Sequence, residues 1–91
     1  MIDIELDEEV KVSEKITDSK KLILHNDDVN SFDYVIDSLV KVCKHTVEQA
    51  TQCSFLVHYN KRCVVKEKDT EEKLKIMKSQ LQSLGLSVTL E

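Results

Sequence analysis

The sequence predicts a small α/β protein, a two-layer sandwich in which a three-stranded sheet packs on three helices in the order β-α-α-β-α-β. Short apolar runs typical of strands occur at three places, and other stretches carry apolar residues at helical spacing. Three strands can bury the apolar stripes of three helices only if the helices pack on the sheet. The 91 residues suffice for one domain with a modest core.

The first strand and the first helix follow one another around residue 26. Residues 20–25 contain the apolar run Leu-Ile-Leu and predict the strand. Asn30, followed three residues later by Asp33, predicts the N-cap of the helix. Apolar residues then recur at spacings of three and four, which places them on one helix face. These residues are Phe32, Val35, Ile36, Leu39, Val40 and Cys43.

The second helix and the second strand come next. Thr46 with Gln49 forms a capping box, which predicts that a helix covers about residues 47–59. This helix would place Ala50, Cys53, Ser54, Val57 and His58 on neighbouring faces. Residues 62–66 contain Cys-Val-Val and predict the second strand.

The third helix and the third strand complete the pattern. Asp69 with Glu72 predicts the start of the helix, and Gly85 stands where a helix end favours a left-handed residue. Residues 86–90 alternate apolar and polar side chains, as a half-buried strand does. The apolar stripe of this helix is Leu74, Met77, Leu81 and Leu84.

Charge divides the chain into two parts. Residues 1–18 carry seven acidic and two basic side chains, whereas the remainder carries ten acidic and eleven basic ones. We therefore expect residues 1–18 to form a flexible acidic N-terminal tail and residues 19–91 to form the core domain. The alternation of Ile2, Ile4 and Leu6 would also allow an edge strand.

Composition argues against several classes of function. The net charge of −4 disfavours nucleic acid as a partner, and no apolar stretch is long enough to span a membrane. The N-terminal residues lack the features of a signal peptide, so we expect a cytoplasmic location. Cys43, Cys53 and Cys63 fit no familiar metal pattern and are expected to be free, buried thiols. No cofactor is expected.

Few residues are candidates for chemistry. Asn26, Asp27 and Asp28 lie at the junction of the first strand and the first helix, and His58 lies near the end of the second helix. A carboxylate, an amide oxygen and a neutral imidazole all accept hydrogen bonds, and together they suit an ammonium group. Ordinary turn chemistry and a structural histidine explain the same residues, and residue types alone favour that explanation.

The order of these motifs resembles the ClpS family, whose members deliver N-degron substrates to the Clp AAA+ protease. The resemblance covers about residues 20–91 and rests on "LILHNDDVNSFDYVIDSLVKV", on "VEQATQCSFLVHYNKRCVV" and on the closing Thr-Leu-Glu. Each motif is weak alone, but together they occur in the family's order and spacing. The region of the third helix is somewhat shorter than in the family.

The resemblance implies a binding mechanism. In the family, side chains matching Asn26, Asp27 and His58 hold the free α-ammonium of a substrate that begins with Leu, Phe, Tyr or Trp. Asp28 would support the turn. The first side chain would enter an apolar pocket formed by Asn30, Phe32, Val35, Ser54, Val57 and Leu86.

Two pocket positions depart from the family pattern. Phe32 replaces a methionine that gates the pocket, which should narrow or stiffen the mouth. Ser54 replaces a methionine that lines the pocket, which should leave space inside. Asn30 and Ser31 stand where threonine and proline are usual, and both still permit a helix cap.

The expected partner is the N-terminal domain of a Clp AAA+ unfoldase of the ClpA or ClpC type, with the acidic tail entering the pore region. Glu71 and either Lys73 or Lys75 are the matching docking positions.

The leading hypothesis is therefore an adaptor in protein degradation, with no catalysis of its own. The alternative is an interaction or assembly module on the same fold without N-degron binding. A hydrolase using His58 and Asp27 is least favoured, because no nucleophile has an activating context.

Overall fold

The computed structural model describes residues 15–91, which form one antiparallel sheet and three helices in the predicted order. The elements are β1 (Ile16–His25), α1 (Phe32–Cys43), α2 (Val47–Asn60), β2 (Arg62–Thr70), α3 (Glu71–Ser83) and β3 (Ser87–Leu90).

Strand β1 lies in the middle of the sheet, with β2 on one side and β3 on the other, both antiparallel to it. Leu24 pairs with Cys63 of β2 and with Val88 of β3. In this central strand Leu22, Ile23 and Leu24 are all almost completely buried, and Leu22 and Leu24 belong to the core cluster.

Both long strands extend beyond their predicted ends. β1 begins at Ile16 rather than at residue 20, and β2 continues to Thr70 rather than ending at residue 66. These outer halves pair with each other, Ile16 with Thr70 and Thr17 with Asp69, and many of their side chains are exposed. Residues 16–18, which were expected to belong to the tail, are therefore part of the sheet. Residues 1–14 of the predicted tail, with Ile2, Ile4 and Leu6, lie outside the described residues.

Two predicted N-caps are shifted by one residue. Ser31, not Asn30, caps α1 by accepting a hydrogen bond from the Tyr34 amide, because the Asn30 side chain is bonded elsewhere. Thr70, not Asp69, caps α3 in the same way. The Asp69 carboxylate instead accepts from the Thr70 amide.

The capping box of α2 is confirmed, since the Thr46 hydroxyl accepts from the Gln49 amide and the Gln49 side chain accepts from the Thr46 amide. The predicted end of α3 is also observed. Gly85 has a φ of +91° and donates its amide to Gln82, while the Leu86 amide reaches back to Leu81. This pair of bonds is the Schellman motif, and it turns the chain into β3.

The core lies between the sheet and the three helices. Leu22 and Leu24 of β1 are buried in one cluster with Leu39 of α1 and with Leu74 and Leu81 of α3. Burial of each such side chain contributes roughly 1.5–3 kcal/mol. The predicted stripe of α3 packs in this core, and so does that of α1 except for Phe32, which is 36% exposed. No helix within residues 15–91 is long and apolar enough to cross a membrane.

Candidate functional site

A cavity of about 60 Å³ lies where the end of β1, the turn before α1 and the second half of α2 meet. Polar residues of the turn line one part of it, and apolar residues of the two helices line another. The lining residues are Leu24, His25, Asn26, Asp27, Asn30, Phe32, Val35, Ser54, Val57 and His58.

Asp27 organises the turn between β1 and α1. Its Oδ1 accepts hydrogen bonds from the amides of Val29 and Asn30, both at 2.9 Å, and its Oδ2 accepts from the Asn30 side chain at 3.0 Å. Desolvation raises the pKa of this carboxyl, but the three hydrogen bonds together outweigh it and leave the pKa below its ordinary value. Asp27 is therefore a carboxylate at neutral pH.

Asn30 connects this turn to the end of α3. Its side-chain amide donates to Asp27 and, at 3.0 Å, to the carbonyl oxygen of Gly85. Nearby, the Tyr34 hydroxyl donates to the Leu84 carbonyl at 2.5 Å. Two side chains thus hold the start of α1 against the turn that leads into β3.

Three hydrogen-bond acceptors at the cavity have unused acceptor positions. The side chains of Asn26 and His58 form no hydrogen bond with any residue from 15 to 91, and the Asp27 carboxylate has used three of about four acceptor positions. The backbone fixes Asn26, whose amide donates to the Lys61 carbonyl at 2.9 Å. An amide oxygen, a carboxylate and an imidazole nitrogen at one cavity suit a small cation with several N–H donors.

The deeper wall of the cavity is largely apolar. Leu24 and Val57 are buried, and Val35 packs against the core. Ser54 is only 3% exposed, and its hydroxyl donates to the Ala50 carbonyl one helical turn earlier at 2.8 Å. The hydroxyl proton is therefore occupied, while the oxygen can still accept a hydrogen bond.

An aromatic group borders the mouth of the cavity. The Phe32 ring, 36% exposed, meets the Phe55 ring edge-on with centroids 4.9 Å apart, and the His58 ring at 6.0 Å. Phe55 in turn stacks on Tyr59 at 6.2 Å. These contacts between α1 and α2 position the Phe32 ring at the edge of the cavity.

Eight of the predicted site residues line this cavity, and two do not. Leu86 is buried in the core instead, because the Schellman motif directs it toward Leu81. Asp28 is exposed, and its side chain forms no hydrogen bond with residues 15–91, so Asp27 supports the turn in its place.

Two lining residues, Leu24 and His25, were not predicted. They are the last residues of β1, directly before Asn26, and this position next to the polar turn was the only available signal. His25 also reaches β3, since its Nε2 lies 2.7 Å from the Thr89 hydroxyl and 3.7 Å from the Glu91 carboxylate. A hydrogen bond from Arg62 to Glu91 is the main reason why the pKa of that carboxyl is lowered.

The predicted docking residues lie together on the first turns of α3. Glu71 and Lys75 form an ion pair of 3.4 Å across one helical turn, and Lys73 is exposed beside them. All three are distant in sequence from the cavity, and none of them lines it.

Comparisons with known proteins place these observations in a family. The model of the family described as "ATP-dependent Clp protease adaptor protein ClpS" matches residues 15–89. The chain is similar to ATP-dependent Clp protease adapter proteins ClpS. It is 36% identical to that of Erwinia tasmaniensis over 58 residues (64% of this chain, 55% of that protein). It is 46% identical to that of Salmonella gallinarum over 44 residues (48% of this chain, 42% of that protein). The matched part thus spans about half the length of these curated relatives.

The fold is also similar to a solved structure, that of Agrobacterium tumefaciens ClpS2 bound to L-phenylalaninamide. The TM-score is 0.74 at 20% sequence identity, and the match covers 79% of this chain and 93% of that chain. This likeness confirms the predicted arrangement of three strands and three helices. Because the family model matches most of the sequence, the chain belongs to the ClpS family of Clp protease adaptors.

Proposed function

We propose that this protein is an adaptor that binds the free α-amino group and the bulky first side chain of N-degron substrates and delivers them to a Clp AAA+ protease. Membership of the family supports the adaptor role, which involves no catalysis. The related ClpS2 of Agrobacterium tumefaciens was solved with L-phenylalaninamide. That compound combines a free α-amine with an aromatic side chain, the two features of such a substrate.

The observation that carries the proposal is that three side chains at the cavity, those of Asn26, Asp27 and His58, can each accept a further hydrogen bond. An α-ammonium has one positive charge and three N–H donors, so it can satisfy all three acceptors at once. Each charge-assisted hydrogen bond contributes roughly 1.5–3 kcal/mol before desolvation costs. Together with burial of one large side chain, roughly 1.5–3 kcal/mol, this suits micromolar binding that permits release to the protease.

The first side chain of the substrate would enter the apolar part of the cavity. The volume of about 60 Å³ is smaller than the cavity of about 150 Å³ that is known to accept benzene. A Phe, Tyr, Trp or Leu side chain therefore requires the Phe32 ring to swing away from the mouth. Phe32 is the first residue of α1 and partly exposed, which leaves it room to do so.

Delivery would use surfaces away from the cavity. We assign docking on the N-terminal domain of a ClpA- or ClpC-type unfoldase to the start of α3, at Glu71, Lys73 and Lys75. The acidic N-terminal segment would act in delivery to the pore. Reversing the charge of Lys73 should weaken binding to the unfoldase domain without changing peptide affinity, and unchanged binding would move the docking surface elsewhere.

The decisive test compares peptides that differ only in their N-terminus. A peptide beginning with Phe or Leu should bind the parent protein, and its Nα-acetylated form should not, as measured by fluorescence anisotropy. Asp27→Asn removes the charge but keeps a side chain that can hold the turn, and it should weaken binding at least tenfold. Asp28→Asn is the matched control and should bind like the parent. Equal affinity for free and acetylated peptides would refute the proposed function and favour an assembly module on the same fold.

A further inference from the structure

Most of the aromatic side chains of the protein lie in one exposed cluster beside the candidate site. The sequence contains only two Phe and two Tyr residues, and none of the four belongs to the buried core. Three of them, Phe32, Phe55 and Tyr59, lie together. Phe55 is 47% exposed and Tyr59 is 70% exposed. Aromatic rings that remain in contact with water at the edge of a cavity are typical of a surface that binds a partner.

The cluster is continuous with the wall of the cavity. Phe55 packs edge-on against Phe32, and it stacks on Tyr59 with only 5° between the two ring planes. The Tyr59 ring also meets the His58 ring edge-on, with centroids 5.0 Å apart. Phe32 and His58 line the cavity, whereas Phe55 and Tyr59 lie outside it. These two residues, one helical turn apart on α2, are called the aromatic pair below, and they extend the cavity wall onto the surface.

A second cavity, of about 350 Å³, lies mainly between α2 and β2 and is separate from the aromatic pair. The three free cysteines line it. Cys43 is buried there, whereas Cys53 and Cys63 are partly exposed, contrary to the expectation that all three are buried. Neither Phe55 nor Tyr59 lines this second cavity, so the aromatic pair adjoins only the first one.

We propose that the aromatic pair is a second subsite for the substrate, which binds an aromatic side chain at the second position of the substrate chain. This inference rests on the proposed function, in which His58 holds the α-ammonium and the first side chain enters past Phe32. The first α-carbon then lies between these two rings, and each of them contacts one member of the aromatic pair. The second α-carbon is only about 3.8 Å farther along the chain, so its side chain reaches Phe55 and Tyr59.

The two subsites are coupled through Phe32. In the free protein the Phe32 ring lies against Phe55, with centroids 4.9 Å apart, and covers part of it. When the Phe32 ring swings away from the mouth to admit the first side chain, it uncovers the Phe55 ring for the second one. A contact between aromatic rings at this exposed position should raise the affinity by about threefold to tenfold, whereas an alanine side chain makes no such contact.

The experiment compares two isomeric peptides that begin with Leu and exchange Phe and Ala between positions 2 and 6. Because their composition is the same, any difference in affinity reports the position of the aromatic side chain. Fluorescence anisotropy should show that the parent binds the peptide with Phe at position 2 about threefold to tenfold more tightly. Phe55→Ala and Tyr59→Ala should bring this ratio close to one. Tyr59→Phe keeps the ring and should keep the ratio, as should the matched control Val47→Ala, which changes an exposed residue at the other end of α2.

The ratio is taken within each variant, so a loss of stability or of affinity for the first residue cancels. If the parent binds both isomers equally while Nα-acetylation still abolishes binding, this subsite is wrong and the proposed function stands. If acetylated and free peptides bind equally, the proposed function fails and this subsite fails with it. A ratio that is unchanged in Phe55→Ala and Tyr59→Ala would also overturn the subsite, and weaker binding of these variants to the unfoldase domain would then assign the aromatic pair to docking.

Discussion

At the residue scale, the Asp27 carboxylate both builds a turn and faces a cavity. Three of its acceptor positions bind Val29 and Asn30, which fixes the carboxylate in place before any ligand arrives. A preorganised acceptor loses little conformational freedom on binding. The turn chemistry and the cation-binding hypothesis, which compete at the sequence level, are therefore compatible in one side chain.

The protonation of Asp27 should follow from these bonds. Because the pKa of Asp27 is lower in the folded state, its carboxylate contributes its full stabilisation of the fold at pH values above the ordinary carboxyl pKa of about 3.9. This stabilisation is lost as the pH falls through the lower pKa of the folded state. An NMR titration of the Asp27 carboxyl carbon should show a midpoint below the ordinary value of about 3.9. A midpoint above 3.9 would show that desolvation, not hydrogen bonding, dominates.

Phe32 should control which first residues are accepted. Phe32→Ala removes the ring at the mouth and should admit Ile or Val, whose β-branch lies close to the rim, while it weakens packing on Phe55. Ser54→Met fills the deeper wall and should shift the preference from Phe toward Leu. Both effects are measurable with a peptide panel, and Val47→Ala, which changes an exposed residue at the other end of α2, is the control. An unchanged ranking in Ser54→Met would exclude Ser54 from contact with the substrate.

At the element scale, the end of α3 positions the site through Asn30 and Tyr34, which bond to the carbonyls of Gly85 and Leu84. Gly85→Ala should destabilise the fold by about 1 kcal/mol, because φ is +91° while no atom lies within 4 Å of an added Cβ. Gly85→Asn should cost less, since asparagine tolerates the left-handed region better. Urea unfolding measures both variants. Equal stability of Gly85→Ala and the parent would contradict the importance of this conformation.

At the scale of the whole molecule, the described residues form a three-stranded sheet packed on three helices around one core. We propose that the acidic N-terminal segment is dispensable for folding and for peptide binding but needed for delivery. A truncation that tests this should end at residue 14, because Ile16 and Thr17 pair with β2. Removal of residues 1–14 should leave the melting temperature and the peptide affinity nearly unchanged and should slow degradation of a substrate by the protease. A large drop in melting temperature would place this segment in the fold.

Local sequence patterns predicted most of the architecture. The apolar stripes of α1 and α3, the capping box at Thr46 and the glycine after α3 each depend on residues a few positions apart, so the chain specifies them directly. Residue types alone indicated Asn26, Asp27 and His58 as candidates, whereas the other predicted lining positions came from the resemblance to the ClpS family.

Features that depend on distant residues did not follow from such patterns. The outer halves of β1 and β2 have mostly exposed side chains, and only backbone pairing between distant segments makes them strands. The Asn30 side chain donates a hydrogen bond to the carbonyl of Gly85, which is 55 positions away in the sequence. Asn30 therefore does not cap α1, and Ser31 caps it instead. Leu86 lies in the core, and Cys53 and Cys63 line one cavity, for the same reason. Their surroundings come from elements that the sheet brings together, and no spacing along the chain records those contacts.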